Sequence, residues 1–152
     1  MTKFVYKMES ILGIKYKIEE QAKTSYATAH IKLTREEDEL KTLIQKLVMY
    51  QEELRNLMQS KLKLIDIQQG QEAIEISKLY IKQQQVVVKK AEQQLETARI
   101  RLHAAMLERK THERLKDKSF EAYILEYEAE QRKEIDELVS FKYNNPMNNQ
   151  EI

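Results

Sequence analysis

Cysteine and tryptophan are absent from this 152-residue chain, glycine occurs twice and proline once. Without cysteine there is no disulfide framework, no thiolate metal site and no catalytic thiol. Two glycines, Gly13 and Gly70, cannot make a glycine-rich phosphate loop. Aromatic residues make up only 7% of the chain, and no stretch approaches the roughly eighteen apolar residues of a membrane span. The opening MTKFVYKMESILGIKYK carries charges throughout and lacks the continuous apolar run of a secretory signal. The net charge of +1 gives no single-sign field that would draw nucleic acid. His30, His103 and His112 share no i, i+4 ligand spacing. No metal or cofactor is therefore expected. Paired-carboxylate catalysis needs a pocket that raises one pKa, and no such pocket is expected of thin helices. The absences together predict a cytoplasmic, non-enzymatic protein with no membrane insertion.

What remains is helix-forming. Glu, Lys, Gln, Leu and Ala dominate, and charged residues reach 34%. Ile74, Ile81, Val88, Leu95 and Leu102 recur every seven residues, with Ser77, Gln84, Ala91, Ala98 and Ala105 three positions after each. This heptad seam is half of an interface, so the helix that carries it needs a partner helix. The first half of the chain supplies one. Phe4, Ile11, Ile14 and Ile18 open a stripe that Ala22, Ser25, Ala29 and Leu33 continue after a four-residue slip. Leu40, Leu43, Leu47, Tyr50, Leu54 and Leu57 complete it. The segment IQQGQE, with Gly70 as a helix terminator, is the one interior break. A connection that short makes its flanking helices antiparallel neighbours.

The predicted fold is therefore all-α, a long antiparallel two-helix coiled coil forming a single domain over residues 1–143. Helix 1 spans about 3–67, the turn 68–72 and helix 2 about 73–142, with a disordered tail over 144–152. Facing residues should have numbers summing to about 140, which sets Phe4 near Ile135 and Leu47 near Ala91. Past Ala105 the next core slots fall on Arg109 and His112, so the pairing is expected to loosen or change register there.

Three surface features stand out. Basic residues (Arg99, Arg101, Arg109, Lys110, Arg114, Lys116, Lys118) are followed by acidic ones (Glu121, Glu126, Glu128, Glu130, Glu134, Asp136, Glu137). This is either a solvated face laced with i, i+4 pairs or a polarised end that docks into a charged ring. Val86 and Val87 lie beside the seam residue Val88, close to Tyr80, with Met49, Tyr50 and Leu54 on the other arm. They form either a flanking apolar patch for a protein contact or a wider buried stripe. Phe4, Val5 and Tyr6, with Tyr16 and Tyr26, either dock a partner or pack against Ile135, Leu138 and Phe141.

The stretch ERKTHERLKDKSFEAYILEYEAEQRKEIDELV, residues 108–139, resembles the FliJ family, the coiled-coil component of the flagellar type III export apparatus. The resemblance rests on Arg109-Lys110, Leu115-Lys116, Tyr123, Glu130-Gln131-Arg132 and Asp136-Glu137 in that order, with Arg132 where the family usually has Lys. It implies a likeness to the central stalk of rotary ATPases and binding inside the hexamer of the export ATPase, FliI, through the end that carries both termini. It also implies contacts with the export gate protein, FlhA, and with export chaperones, peripheral to the cytoplasmic face of the inner membrane. On that resemblance the ATPase-facing residues are Arg109, Lys110, Arg114, Lys116, Gln131, Asp136 and Glu137. The gate-facing residues are Leu47, Tyr50, Leu54, Tyr80 and Val87. The equivalent stalk of a virulence secretion system, or a structural or chaperone-like hairpin, is the alternative.

Overall fold

The computed structural model describes residues 3–60 and 63–144. Two helices pack against each other as a hairpin: α1, Glu9–Gln59, and α2, Leu64–Asn144. Among the described residues there is no strand. α1 opens where the Glu9 amide donates to the Tyr6 carbonyl, and Glu9 lies in the first turn, where a negative charge meets the positive end of the helix dipole. α2 repeats the device with Asp66 and places Lys142 in its last turn.

The hairpin break is not at Gly70. Ser60 ends α1 by donating from both its amide and its hydroxyl to the Leu57 carbonyl, at 3.3 and 3.2 Å. Gly70 lies inside α2 with no left-handed backbone. Its role is close packing, since a Cβ there would sit 2.9 Å from the Leu54 Cδ1. Expecting a turn at 68–72 treats glycine as a terminator. Here the missing side chain admits the other helix, which offsets the roughly 1 kcal/mol that glycine costs in a helix interior. Gly13 has no neighbour within 4 Å of an added Cβ. Gly13→Ala should therefore raise stability by about 1 kcal/mol in urea unfolding.

Two compact units divide the chain, where one domain is expected from sequence. The first is Met1–Lys17 with Met106–Ile152, the second Ile18–Ala105. In the second unit the α2 seam is as the heptads require: Ser77, Ile81, Val88, Ala91 and Ala105 are buried, Ala91 to 1% exposure. Cross-helix contacts pair Lys32 with Gln94, Glu36 with Gln84 and Leu54 with Gly70, so facing numbers sum to about 124, not 140. The α1 face against this seam carries Ala22, Tyr26, Ala29, Leu33, Glu36, Leu40, Leu43 and Leu47, in unbroken three- and four-residue steps. Tyr26 takes the slot expected for Ser25, and Glu19 is 5% exposed whereas Ile18 faces solvent. Ion pairing to Lys23 at 3.2 Å offsets part of the cost of burying that carboxylate.

In the first unit the same phase holds. Leu12 is buried, while Ile11 and Ile14 are exposed. The expected slip in the stripe does not occur, because the seam accepts Lys15 and Glu19 to stay in register. Phe4 packs on Phe120 and Tyr123, with ring centroids 5.2 and 5.3 Å away, not on Ile135. Arg109, His112 and Lys116 remain half-buried in the seam slots. The pairing expected to loosen there is polar instead. Asn144, expected in the tail, ends α2, and residues 145–152 lie outside the described part.

Candidate partner-binding surfaces

The first unit sorts the basic cluster into two classes. Arg109 bonds Glu113 at 3.0 Å, Lys116 bonds Glu9 at 2.9 Å, and Lys15 bonds Glu108 at 2.7 Å. The Tyr16 hydroxyl donates to the Glu113 carboxylate. Lys116 thus spends its charge holding α2 to α1, while Arg109 pairs along α2 with Glu113, the carboxylate that accepts from Tyr16 of α1. Lys110, Arg114 and Lys118 lie on the exposed side at i, i+4, i+8 and have no ion-pair partner among the described residues. Charge alone did not separate these classes. The heptad phase does, since it sends 109 and 116 inward and 110, 114 and 118 outward.

The hydrogen bond from Lys15, then its charge, holds the Glu108 carboxyl below the usual carboxylate range. A carboxyl lowered on folding contributes stability that is fully present above its ordinary pKa of about 4.3 and is lost as pH falls through the lowered value. Acidification below about pH 4 should therefore speed amide exchange in the first unit, with part of the effect missing in Glu108→Gln.

From Glu128 to Asn144 every residue of α2 is exposed. These turns follow the Phe120–Tyr123 contact with Phe4 and carry an uncovered apolar stripe, with Leu138 63% and Phe141 64% exposed. Gln131 donates to the Tyr127 hydroxyl at 2.8 Å, and Asp136 and Glu137 face solvent. No residue of α1 covers these apolar side chains among the described residues.

The second unit holds a groove of about 510 Å³ between the helices. Leu43, Lys46 and Tyr50 form one wall and Ala73, Ile76, Ser77 and Tyr80 the other. The small residues Ala73 and Ser77 leave the space, while Tyr50, Ile76 and Tyr80 remain partly exposed above it. Of the expected gate-facing residues, the groove brings Tyr50 and Tyr80 together. Val87 lies two helical turns beyond Tyr80 on the same face and is exposed. Leu47 and Leu54 turn into the seam, Leu54 against Gly70. Leu43, a stripe residue by sequence, also lines the groove, and so does Ile76, which the sequence reading does not single out. The heptad phase places Ile76 just outside the seam residue Ser77, which is the signal that finds it.

The family model of the flagellar FliJ protein matches residues 4–148. The chain belongs to the FliJ family. No curated protein matches it. Among solved structures, CT670 of Chlamydia trachomatis, proposed to be a homologue of YscO, superposes with a TM-score of 0.60 at 17% identity. The match covers 97% of this chain and 100% of CT670. At that identity the likeness speaks to the fold, and the family match is what ties the chain to flagellar export. Among the described residues no acidic or histidine cluster of three could hold a metal ion, and no helix is long and apolar enough to cross a membrane.

Proposed function

We propose that this FliJ-family chain is a stalk-like component of flagellar protein export that acts by being gripped, with no reaction of its own. The observation that carries the reading is the bare end of α2, residues 128–144, which offers an apolar half-seam and acidic residues to a partner. In this reading the cytoplasmic export ATPase hexamer takes that end, through Gln131, Asp136 and Glu137 and the exposed cations Lys110 and Arg114. Arg109 and Lys116, paired within the hairpin, keep the docking end in shape and act on the ATPase only through it. The groove at Tyr50, Ile76 and Tyr80 receives the export gate protein, with Val87 extending the contact, and export chaperones are further partners. A link between a ring and a gate needs two separate surfaces, and the exposed end of α2 and the groove at Tyr50 and Tyr80 support that reading.

The charge assignment is testable residue by residue. Lys110→Glu with Arg114→Glu should weaken ATPase binding on the order of tenfold at low salt, with the loss shrinking as salt rises, and should leave helicity unchanged. Arg109→Glu should instead lower the melting temperature, because it sets a second carboxylate beside Glu113. Equal loss of binding from all three without any change in melting contradicts the division.

A further inference from the structure

In the second unit the outer face of α2 carries an apolar period of its own. Val86 follows Leu79 by seven residues and Ile100 follows Val86 by fourteen, with Gln93 in the slot between them. These residues lie on the side of the helix opposite the seam residues Ile81, Val88 and Ala91. Leu79, Val86 and Ile100 are 54%, 68% and 56% exposed. The intervening slots at three- and four-residue steps are Gln83, Lys90 and Thr97, so Lys90 is the one charge within the stripe. Single exposed aliphatic residues need no explanation. A seven-residue repeat does, because that period keeps one stripe of a helix against a neighbouring helix. α1 occupies the seam side, and no described residue covers this one.

We propose that this face of α2 receives a third helix, an acidic amphipathic helix of a partner protein. Charge selects the occupant. Lys82, Lys89 and Lys90 flank or interrupt the stripe, all three are exposed, and none has an ion-pair partner among the described residues. The acidic residues beside the stripe, Glu75 and Glu96, are already paired along α2, with Lys78 at 3.6 Å and with Arg99 at 2.6 Å. The face therefore offers apolar slots and uncompensated positive charge together. A helix whose aliphatic stripe is flanked by Glu or Asp complements both. A second copy of this chain does not. Antiparallel pairing that sets Leu79 against Ile100 brings Lys89 and Lys90 onto their own copies, and parallel pairing in register adds Lys82 to the clash. From Leu79 to Ile100 the stripe runs about 32 Å, so the incoming helix spans about three heptads. Tyr80 and Val87 turn toward the groove about a quarter-turn away, so this face is separate from the groove and from the bare end of α2.

Surface variants of the full chain test this. The probe is a fluorescein-labelled synthetic helix about three heptads long, with leucine at three- and four-residue steps and glutamate on both flanks. Its counterpart carries lysine in place of glutamate. Fluorescence anisotropy at low salt should show saturable binding of the glutamate helix. Val86→Gln with Ile100→Gln should weaken that binding on the order of tenfold. Lys89→Glu with Lys90→Glu should weaken it by a similar factor, with the loss shrinking as salt rises. All four positions are exposed, so helicity by circular dichroism should hold. Tyr80→Gln should leave the glutamate helix bound as before, and the lysine helix should be indifferent to Val86→Gln with Ile100→Gln. Absence of saturable binding by the glutamate helix overturns the assignment, as does equal dependence of both helices on Val86 and Ile100. Loss with Tyr80→Gln but not with the Val86 and Ile100 pair puts the helix in the groove and overturns it too. So does a dimer of the chain that Val86→Gln with Ile100→Gln dissolves in sedimentation, because a second copy then covers the face.

Discussion

Ending the chain after Tyr127 should abolish its binding to the export ATPase and leave the rest of the hairpin intact. The two outcomes separate because residues 128–144 are exposed at every position. None of them is buried, their described side-chain tie to the rest of the hairpin is the Gln131–Tyr127 hydrogen bond, and surface changes of that kind shift stability by about 0.5 kcal/mol or less. The melting temperature of the shortened chain should stay within about 2 °C of the parent. Binding should fall to background, because the apolar stripe at Leu138 and Phe141 and the acidic pair Asp136 and Glu137 all leave together. Co-sedimentation with the ATPase and a thermal melt on the same preparation check both halves. A large drop in melting temperature would mean that the segment is part of the hairpin's own packing.

Ile76→Glu with Tyr80→Glu should weaken binding to the export gate protein on the order of tenfold or more, the size expected when a central aromatic anchor is lost. Both side chains stand half-exposed at the groove mouth, where a carboxylate keeps its water and the fold is spared. Charge placed in the groove meets whatever apolar group the partner buries there, and that is where the penalty falls. Ile31→Glu, at an exposed position elsewhere on α1, is the matched control and should leave gate binding unchanged. Titration calorimetry with the isolated gate domain reads the difference. Unchanged affinity for the double variant removes the groove from the gate contact.

The α2 seam was legible because a large aliphatic residue recurs every seven positions at Ile74, Ile81, Val88, Leu95 and Leu102, and Val88 and Ala91 are buried where the period puts them. The opening of α1 was not. Ile11, Ile14 and Ile18 make the more apolar stripe, yet Leu12, Lys15 and Glu19 take the inner phase, because a continuous seam with Ala22 outweighs local hydrophobicity. Charged core slots hide in the same way. Arg109 and Lys116 fall in core slots by the period, but only the structure shows the partners Glu113 and Glu9 that let a charge stay there. The break was misplaced because one glycine has two uses, and sequence does not tell a helix terminator from a site of close approach such as Gly70 against Leu54. That sixteen-number change in facing pairs is what leaves the end of α2 bare, so the clearest docking candidate appears only in the structure. Of the residues singled out by resemblance, Tyr50 and Tyr80 meet in one groove, while Leu47 and Leu54 do not join them.

The most direct measurement is the rate of ATP hydrolysis by the cognate export ATPase as this chain is added. A stalk gripped within the ring should raise the rate to a plateau and increase the fraction of assembled hexamer, and the chain ending at Tyr127 should do neither. A rate and an assembly state that stay flat through a saturating excess of the full chain would contradict the account.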